Sequence, residues 1–416
     1  MSSLAPRPAV AKRLKYVVAL RRSRGEGAGD ERPYIGLESI ESSTGRLIGD
    51  PAATDESALS ASGQSESLSN TFEPGDVLFA KLRPYLAKAW VATFQGRCTT
   101  ELLVMQPVEA ESAFLRYVCL SRDFIDAVDA STFGSKMPRA DWDFIGNMPI
   151  PVPPLQHQRA IADFLDRETA RLDALVAAKE RVLWLLAEKR RALITRAVTR
   201  GLDPRAPLRD SGITWLGEIP PHWETERSRW LFRERDQRSE TGEEELLTVS
   251  HLTGVTLRSE KDVNMFEAET TEGYKICLAG DLVINTLWAW MGAMGVSPVN
   301  GIVSPAYNVY HPGPRLEPSF VDALVRLPVF AQEVTRYSKG VWSSRLRLYP
   351  EGFFEVLLPV PPLTEQREIV AHITKETDKL DELRIATERT TLLLKERRAA
   401  LIAATVTGQV DVGAAA

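Results

Sequence analysis

The 416-residue sequence is poor in cysteine, with three, and in histidine, with five. Cys98, Cys119 and Cys277 are far apart and odd in number, which argues against a disulfide framework and a thiolate metal site and leaves them as structural thiols. The histidines are scattered without metal-ligand spacing. No run of about 18 uncharged apolar residues exists, and the first part of the chain mixes Pro and Arg without an apolar signal core, so a cytoplasmic location with no membrane partner is expected. Gly25, Gly27 and Gly29 look superficially like a phosphate-cradling loop. They lack the flanking strand, the following helix and the Lys-Ser/Thr pair, and read as a flexible turn. A P-loop is missing. With a net charge of -5 there is no global basic field, so any nucleic-acid contact must come from local patches or from partners.

What the sequence does contain is a duplication. Residues 152–199 and 360–407 align without a gap at an offset of 208, so that Pro153 matches Pro361, Gln158 matches Gln366 and Leu172 matches Leu380. Upstream the order of features also repeats: Gly75-Asp76 before an apolar strand returns as Gly280-Asp281, and residues 134–139 return as 340–345. The expected boundaries are a globular domain at 1–151, a long helix at 152–202, a linker and second globular domain at 203–359, a second long helix at 360–410 and a tail at 411–416. Within the first domain, 33–40 alternates like a strand, 50–69 is a Ser, Ala and Glu-rich loop, 112–130 has the spacing of a helix with Phe114, Val118, Phe124 and Val128 on one stripe, and 145–152 is strand-like. The Pro- and Gly-rich stretch from 201 to 223 reads as an irregular linker.

Each long helix is entered through Pro-Pro, which fixes φ without needing an amide donor. Ile161, Leu165, Leu172, Leu175, Val182, Leu186 and Leu193 keep heptad spacing, as do Ile369, Ile373, Leu380, Leu383, Leu394 and Leu401, so each helix of about 65 Å carries a coiled-coil seam. Charged residues interrupt it at Glu168 and Lys189, and at Glu376 and Arg397. Antiparallel pairing, with residue numbers summing to near 565, sets Glu168 against Arg397 and Lys189 against Glu376; parallel pairing would oppose Glu168 and Glu376. The four are therefore expected to fix helix register. The fold class is α+β: two α/β domains separated by two long antiparallel helices in a coiled coil, with pseudo-two-fold duplication.

The PVPPLQHQ and PVPPLTEQ entries, the duplication, the linker SGITWLGEIPPHW and the ending VTGQVDV together resemble the specificity subunit of a type I restriction-modification system, over essentially the whole chain. The first domain departs from that pattern in lacking the Trp-Leu-Gly-Glu-Ile-Pro lead-in found at 215–220. The resemblance implies that both domains are target-recognition domains, each reading one half of a bipartite, asymmetric site in double-stranded DNA, with the paired helices setting the spacer. It also implies two methyltransferase subunits docked on the helical regions, restriction/translocase subunits beside them, and S-adenosylmethionine, ATP and Mg held by those partners, with no cofactor in this chain. An Asn/Asp-Pro-Pro-Tyr/Phe loop, which amino-methylating enzymes use on a flipped base, is absent, so a non-catalytic role is expected. The rival from another class is a coiled-coil scaffold whose two globular domains bind proteins.

Base reading needs forked donors for guanine and amides for adenine, and phosphate contacts need Lys, Arg, Ser, Thr and backbone amides. Two loops in each half offer these. They are Lys81, Arg83 and Lys88 with Ser135, Lys136 and Arg139 in the first, and Asn285, Trp288 and Trp290 with Trp342, Ser343, Ser344, Arg345 and Arg347 in the second. A solvated charged surface, or core packing for the Trp residues, is the competing reading of each.

Overall fold

The computed structural model describes residues 10–25, 32–49, 69–261, 270–340 and 346–412. Gly27, Gly29, residues 50–68, the loop residues Trp342, Ser343, Ser344 and Arg345, and the end of the tail lie outside the described residues. The chain divides into two compact units, Met1–Arg181 with Thr387–Ala416, and Val182–Ala386. Each unit therefore owns one globular domain, the adjoining part of one long helix and a part of the other.

In the first unit an antiparallel sheet runs in the order Val18–Leu20, Leu102–Pro107, Val77–Ala80, Ala89–Val91. Val10–Arg13 pairs with Pro149–Val152, the strand that leads into the first long helix. A second sheet of Arg24–Gly25, Ser69–Phe72, Gly96–Thr99 and Tyr34–Ile35 lies beyond it. The 33–40 stretch is a strand only at Tyr34–Ile35. The expected single helix is two, Ser112–Leu120 and Arg122–Ala130, because Ser121 is extended (ψ 142°) and its hydroxyl donates to the Val118 carbonyl. Phe114, Val118, Phe124 and Val128 are all buried, so the apolar stripe survives the break. Before the strand Pro149–Val152 comes a short helix, Trp142–Ile145.

The second unit repeats this plan. Its sheet runs Phe232–Glu234, Tyr307–Pro312, Leu282–Asn285, Met294–Val296, and Glu224–Arg227 pairs with Leu357–Val360. Helices Pro318–Val325 and Pro328–Arg336 take the places of the two in the first unit. The stretch expected to be an irregular linker is structured: Arg209–Asp210 pairs with Glu218–Ile219, and Ile213, Leu216, Ile219 and Trp223 are buried in the unit's core. Its prolines and glycines shape turns around apolar side chains that are worth burying.

The long helices span Leu155–Arg200 and Leu363–Val406. Each is fixed to its globular domain by the Gln of its Pro-Leu-x-x-Gln entry. The buried Gln158 amide accepts from the Glu111 N–H at 2.7 Å and donates to the carbonyls of Pro153 and Glu109. Gln366 accepts from the Glu317 N–H at 2.8 Å and donates to the carbonyls of Pro361 and Arg315. These bonds satisfy backbone groups that burial would otherwise leave unpaired.

Within each unit the two helical segments run antiparallel. In the first, Asp173 meets Arg398 at 2.8 Å and Glu180 meets Lys395 at 3.1 Å, while Ile161, Ala162 and Leu165 share a core with Ile402 and Val406. In the second, Arg190 donates to Asp381 at 2.6 Å and Ala197 and Val198 share a core with Ile369. The expected register is corrected by about one and a half turns: Asp173–Arg398 and Arg190–Asp381 both sum to 571. At that register Arg397 does not face Glu168; Arg397 is exposed, and Glu376 pairs with Lys379 on its own helix rather than with Lys189. The charges that cross are those one or a few positions away, and they are equivalent under the 208 offset, Asp173 matching Asp381 and Arg190 matching Arg398. The seam is likewise less continuous than heptad spacing suggests. Ile161, Leu165, Leu172, Ile369 and Leu380 are buried, but Leu175, Val182 and Leu383 are exposed, and Thr169, Thr377, Thr387 and Thr391 are buried, Thr169 beside the Tyr117 hydroxyl.

Candidate nucleic-acid interface

Each globular domain builds a paired-loop surface on the same backbone. The Gly-Asp turns hold Gly75 at φ 89° and Gly280 at φ 91°, a region that favours glycine. Asp76 and Asp281 are buried behind them and act as clamps. Arg21 donates to both oxygens of Asp76 at 2.7 and 3.2 Å, and Arg235 does the same to Asp281. Each carboxylate also accepts the backbone N–H three residues before it, from Glu73 and Leu278. Bidentate, charge-assisted contacts of this kind fix orientation as well as adding energy.

From the clamped strand the chain enters a short 3-10 turn, Pro84–Leu86 in one unit and Ala289–Met291 in the other. The second loop joins it by one shared hydrogen bond: Ala140 N–H to the Lys81 carbonyl at 2.9 Å, and Leu348 N–H to the Thr286 carbonyl at 3.0 Å. A two-way backbone pair closes the base of that second loop, Phe133 with Arg139 at 3.1 Å and Lys339 with Arg347 at 2.9 Å. In the first unit Arg83 N–H also donates to the Pro138 carbonyl at 2.7 Å. The bases of the two loops singled out in each half of the sequence are thus joined in each unit.

The side chains are not equally available. Arg83, Ser135 and Lys136 are exposed, and Arg83 is held in the left-handed region at φ 51°. Lys81 is half-buried. Lys88 is a correction: it is half-buried, its ammonium already donates to the Leu37 carbonyl at 2.6 Å, and burial pushes its pKa down. Arg139 is exposed but held by both oxygens of Glu101 at 2.8 and 3.0 Å. In the second unit Asn285 is also a correction, since it is buried and accepts the Leu287 N–H within its own turn. Trp288 is 52% exposed and lies nearly parallel to Trp290, their centroids 6.1 Å apart. Arg347 donates to the Thr286 hydroxyl at 3.2 Å and lies 5.7 Å from the Tyr349 ring. Ser343, Ser344 and Arg345 are outside the described residues.

Cations and amides are not the whole of the surface around the loops: Tyr85, Phe133 and Met137 in the first unit and Leu287 and Tyr349 in the second are all exposed. The signal was positional, because Tyr85 is the counterpart of Trp290 in the repeated order and Tyr349 lies two residues past Arg347. Among the described residues no group of His, Cys, Asp and Glu could hold a metal ion, and no helix is long and apolar enough to cross a membrane. The three cysteines are buried, and burial pushes the Cys98 and Cys277 thiols up to about 12, in keeping with packing rather than reactivity.

Residues 72–183 match the type I restriction modification DNA specificity domain. The chain is 26% identical over 144 residues to the type I restriction enzyme EcoDI specificity subunit of Escherichia coli, a stretch covering 34% of this chain and 30% of that protein. The chain thus spans less than a third of the length of that curated relative in the match. Its fold is similar to a chain solved in a study of complex assembly and conformational transition of the type I R-M system, with a TM-score of 0.66 at 20% identity over 98% of this chain and 100% of the other. It is also similar to the HsdS subunit of Thermoanaerobacter tengcongensis, with a TM-score of 0.51 at 20% identity over 97% and 98% of the two chains. Residues 72–183 are thus similar to the type I restriction modification DNA specificity domain, and the chain along its length shares the fold of the two solved chains.

Proposed function

We propose that this chain is the DNA-recognition subunit of a type I restriction-modification complex, in which each globular domain reads one half of a bipartite, asymmetric site. The observation that carries this reading is the paired-loop surface. One backbone framework, sharing the cross-loop bond and the two-way pair at the base of the second loop, presents different side chains in the two units, Arg83 with Arg139 in one and Trp288 with Arg347 in the other. A repeated scaffold with diverged tips suits two different half-sites.

In this reading the chain is non-catalytic and directs two methyltransferase subunits and a restriction/translocase subunit, which hold S-adenosylmethionine, ATP and Mg. Exposed apolar side chains on the long helices support docking there: Leu175, Leu392 and Leu393 in the first unit, and Val182, Leu185 and Ile385 in the second. The net charge of -5 also favours an assembly, because this chain has no surplus of cations and the partners would add phosphate contacts. The length of the helical pair sets the spacer between half-sites.

The test is to sequence the host methylome with and without the gene, then to measure retention of the deduced site by the chain with its co-purified methyltransferase. Loss of one bipartite methylation pattern on deletion, and specific retention, is the expected result. Insertion of one heptad in both long helices should change the spacer alone. An unchanged methylome, or co-purifying proteins with no DNA retention, would favour the scaffold instead.

A further inference from the structure

We infer that the second unit reads its half-site by stacking: Trp288 enters the base stack, where its counterpart Arg83 in the first unit approaches base edges. The inference rests on the DNA-recognition reading and adds a contact chemistry and a DNA distortion to it.

Arg83 and Trp288 occupy one place in the framework. Each is the residue before the 3-10 turn, two residues past the carbonyl that receives the cross-loop hydrogen bond, at Lys81 and Thr286. Each turn then ends in a left-handed residue, Ala87 at φ 47° and Gly292 at φ 88°. What differs is the chemistry around the tip. Residues 80–88 contain three cations, whereas residues 285–295 contain no charged side chain. Leu287, Trp288 and Met291 are all exposed on that uncharged turn. An apolar tip gains little from phosphates, and the large apolar surfaces of a duplex are its base faces, reached by opening a step.

The turn is built to take the load. Trp290 backs Trp288 at an interplanar angle of 22°, and its indole N–H is fixed on the Leu287 carbonyl at 3.0 Å. Arg347, held on Thr286 at the foot of the same turn, has no carboxylate partner among the described residues and supplies a cation for the flanking phosphate. A wedge beside a cation is the arrangement with which proteins unstack and bend DNA.

The experiment uses the full chain assembled with its methyltransferase subunits and duplexes carrying 2-aminopurine at successive positions of each half-site. At saturating protein, the expected result is a severalfold fluorescence rise at one step of the second half-site. That rise should persist in Trp288→Phe and disappear in Trp288→Ala and Trp288→Arg, with affinity for the site falling about tenfold in Trp288→Ala. The rise from any base extruded by the methyltransferase is independent of Trp288 and serves as the internal reference. Unchanged thermal melting of Trp288→Arg, which copies the first unit's own residue, shows that the fold is intact. A second half-site without a Trp288-dependent rise overturns the inference while leaving DNA recognition standing. So does a loss of affinity reproduced by exchanging thymine for uracil without any rise, which would assign Trp288 to a methyl group. Failure of the wild-type assembly to retain any specific DNA overturns both readings.

Discussion

In the first unit Arg139 is clamped by Glu101, and Arg398 and Asp173 face each other almost out of water, with side chains 10% and 12% exposed. In the second, Arg347 rests on a hydroxyl, and the equivalent Arg190 and Asp381 are 42% and 39% exposed. The same contrast recurs where the long helix meets the sheet-covering helices. Tyr117 is buried in the first unit and its hydroxyl donates to Asp166 at 2.6 Å, while the backbone at Ser43 accepts from Arg398. The second unit has Ala323 in place of that ring, and a cavity of about 480 Å³ opens there, lined by Arg190, Ile194, Ala323 and Ile373 among others. Duplication has preserved the backbone framework and changed side chains both at the surface and, as at Tyr117, in the core.

The buried charge pair offers the sharpest way to break this comparison. Asp173→Ala strands Arg398 in a place that water barely reaches and is expected to cost about 3 kcal/mol, whereas Asp381→Ala, at the equivalent position but solvated and screened, should cost less than about 1 kcal/mol. Urea unfolding of both variants, followed as separate transitions for the two units, checks it; equal losses would mean that exposure does not set the difference.

Next in size are the arginines of the paired loops. Arg347→Ala should weaken site binding about tenfold, since its guanidinium, held through Nε on the Thr286 hydroxyl and by no carboxylate among the described residues, keeps its terminal N–H groups for phosphate or guanine. Glu101→Gln should tighten binding by about threefold, because it releases Arg139 to do in the first unit what Arg347 does in the second. Filter retention at fixed salt measures both, and a tightened Glu101→Gln that becomes insensitive to Arg139→Ala would contradict the assignment.

The smallest effect is a pH dependence in the second unit. The hydrogen bond from Arg190, foremost, and then that from Arg384 hold the Asp381 carboxyl below its usual value of 3.8, with burial opposing. A carboxyl whose folded pKa is depressed adds stability that is present above the unfolded value and is lost as pH falls through the folded one. Wild type and Asp381→Asn should therefore differ slightly at neutral pH and converge in acid, as read by melting temperature; a gap that widens in acid would reverse the sign.

Much of this arrangement is legible in the sequence, for identifiable reasons. The Gly-Asp turns and the entry glutamines repeat because a left-handed turn and a set of buried backbone groups accept few substitutes. The antiparallel direction follows from charge, yet the identity of the crossing pairs does not. Arg397 and Arg398 are neighbours about 100° apart around a helix, and heptad spacing alone does not say which one faces inward. The partners of Lys88 and Asn285 are not visible in the sequence, because the groups that engage them are set by folding. Lys88 meets a carbonyl 51 residues away, and Asn285 is buried by the sheet around it. The 201–223 stretch shows the opposite lesson: its turn residues are visible, but the burial of Trp223 depends on a core assembled from the rest of the unit.

The entry glutamines carry one further consequence, for inheritance. Gln158 and Gln366 grip only main-chain atoms of the domains they anchor, at 109 and 111 in one case and 315 and 317 in the other. That part of the joint is main chain and is indifferent to the side chains at those positions, unlike the neighbouring contact of Tyr117 with Asp166. If the globular domains read DNA as proposed, two genes of this kind that recombine within the codons for Pro-Leu-x-x-Gln would carry a different domain onto the same entry with these main-chain bonds kept.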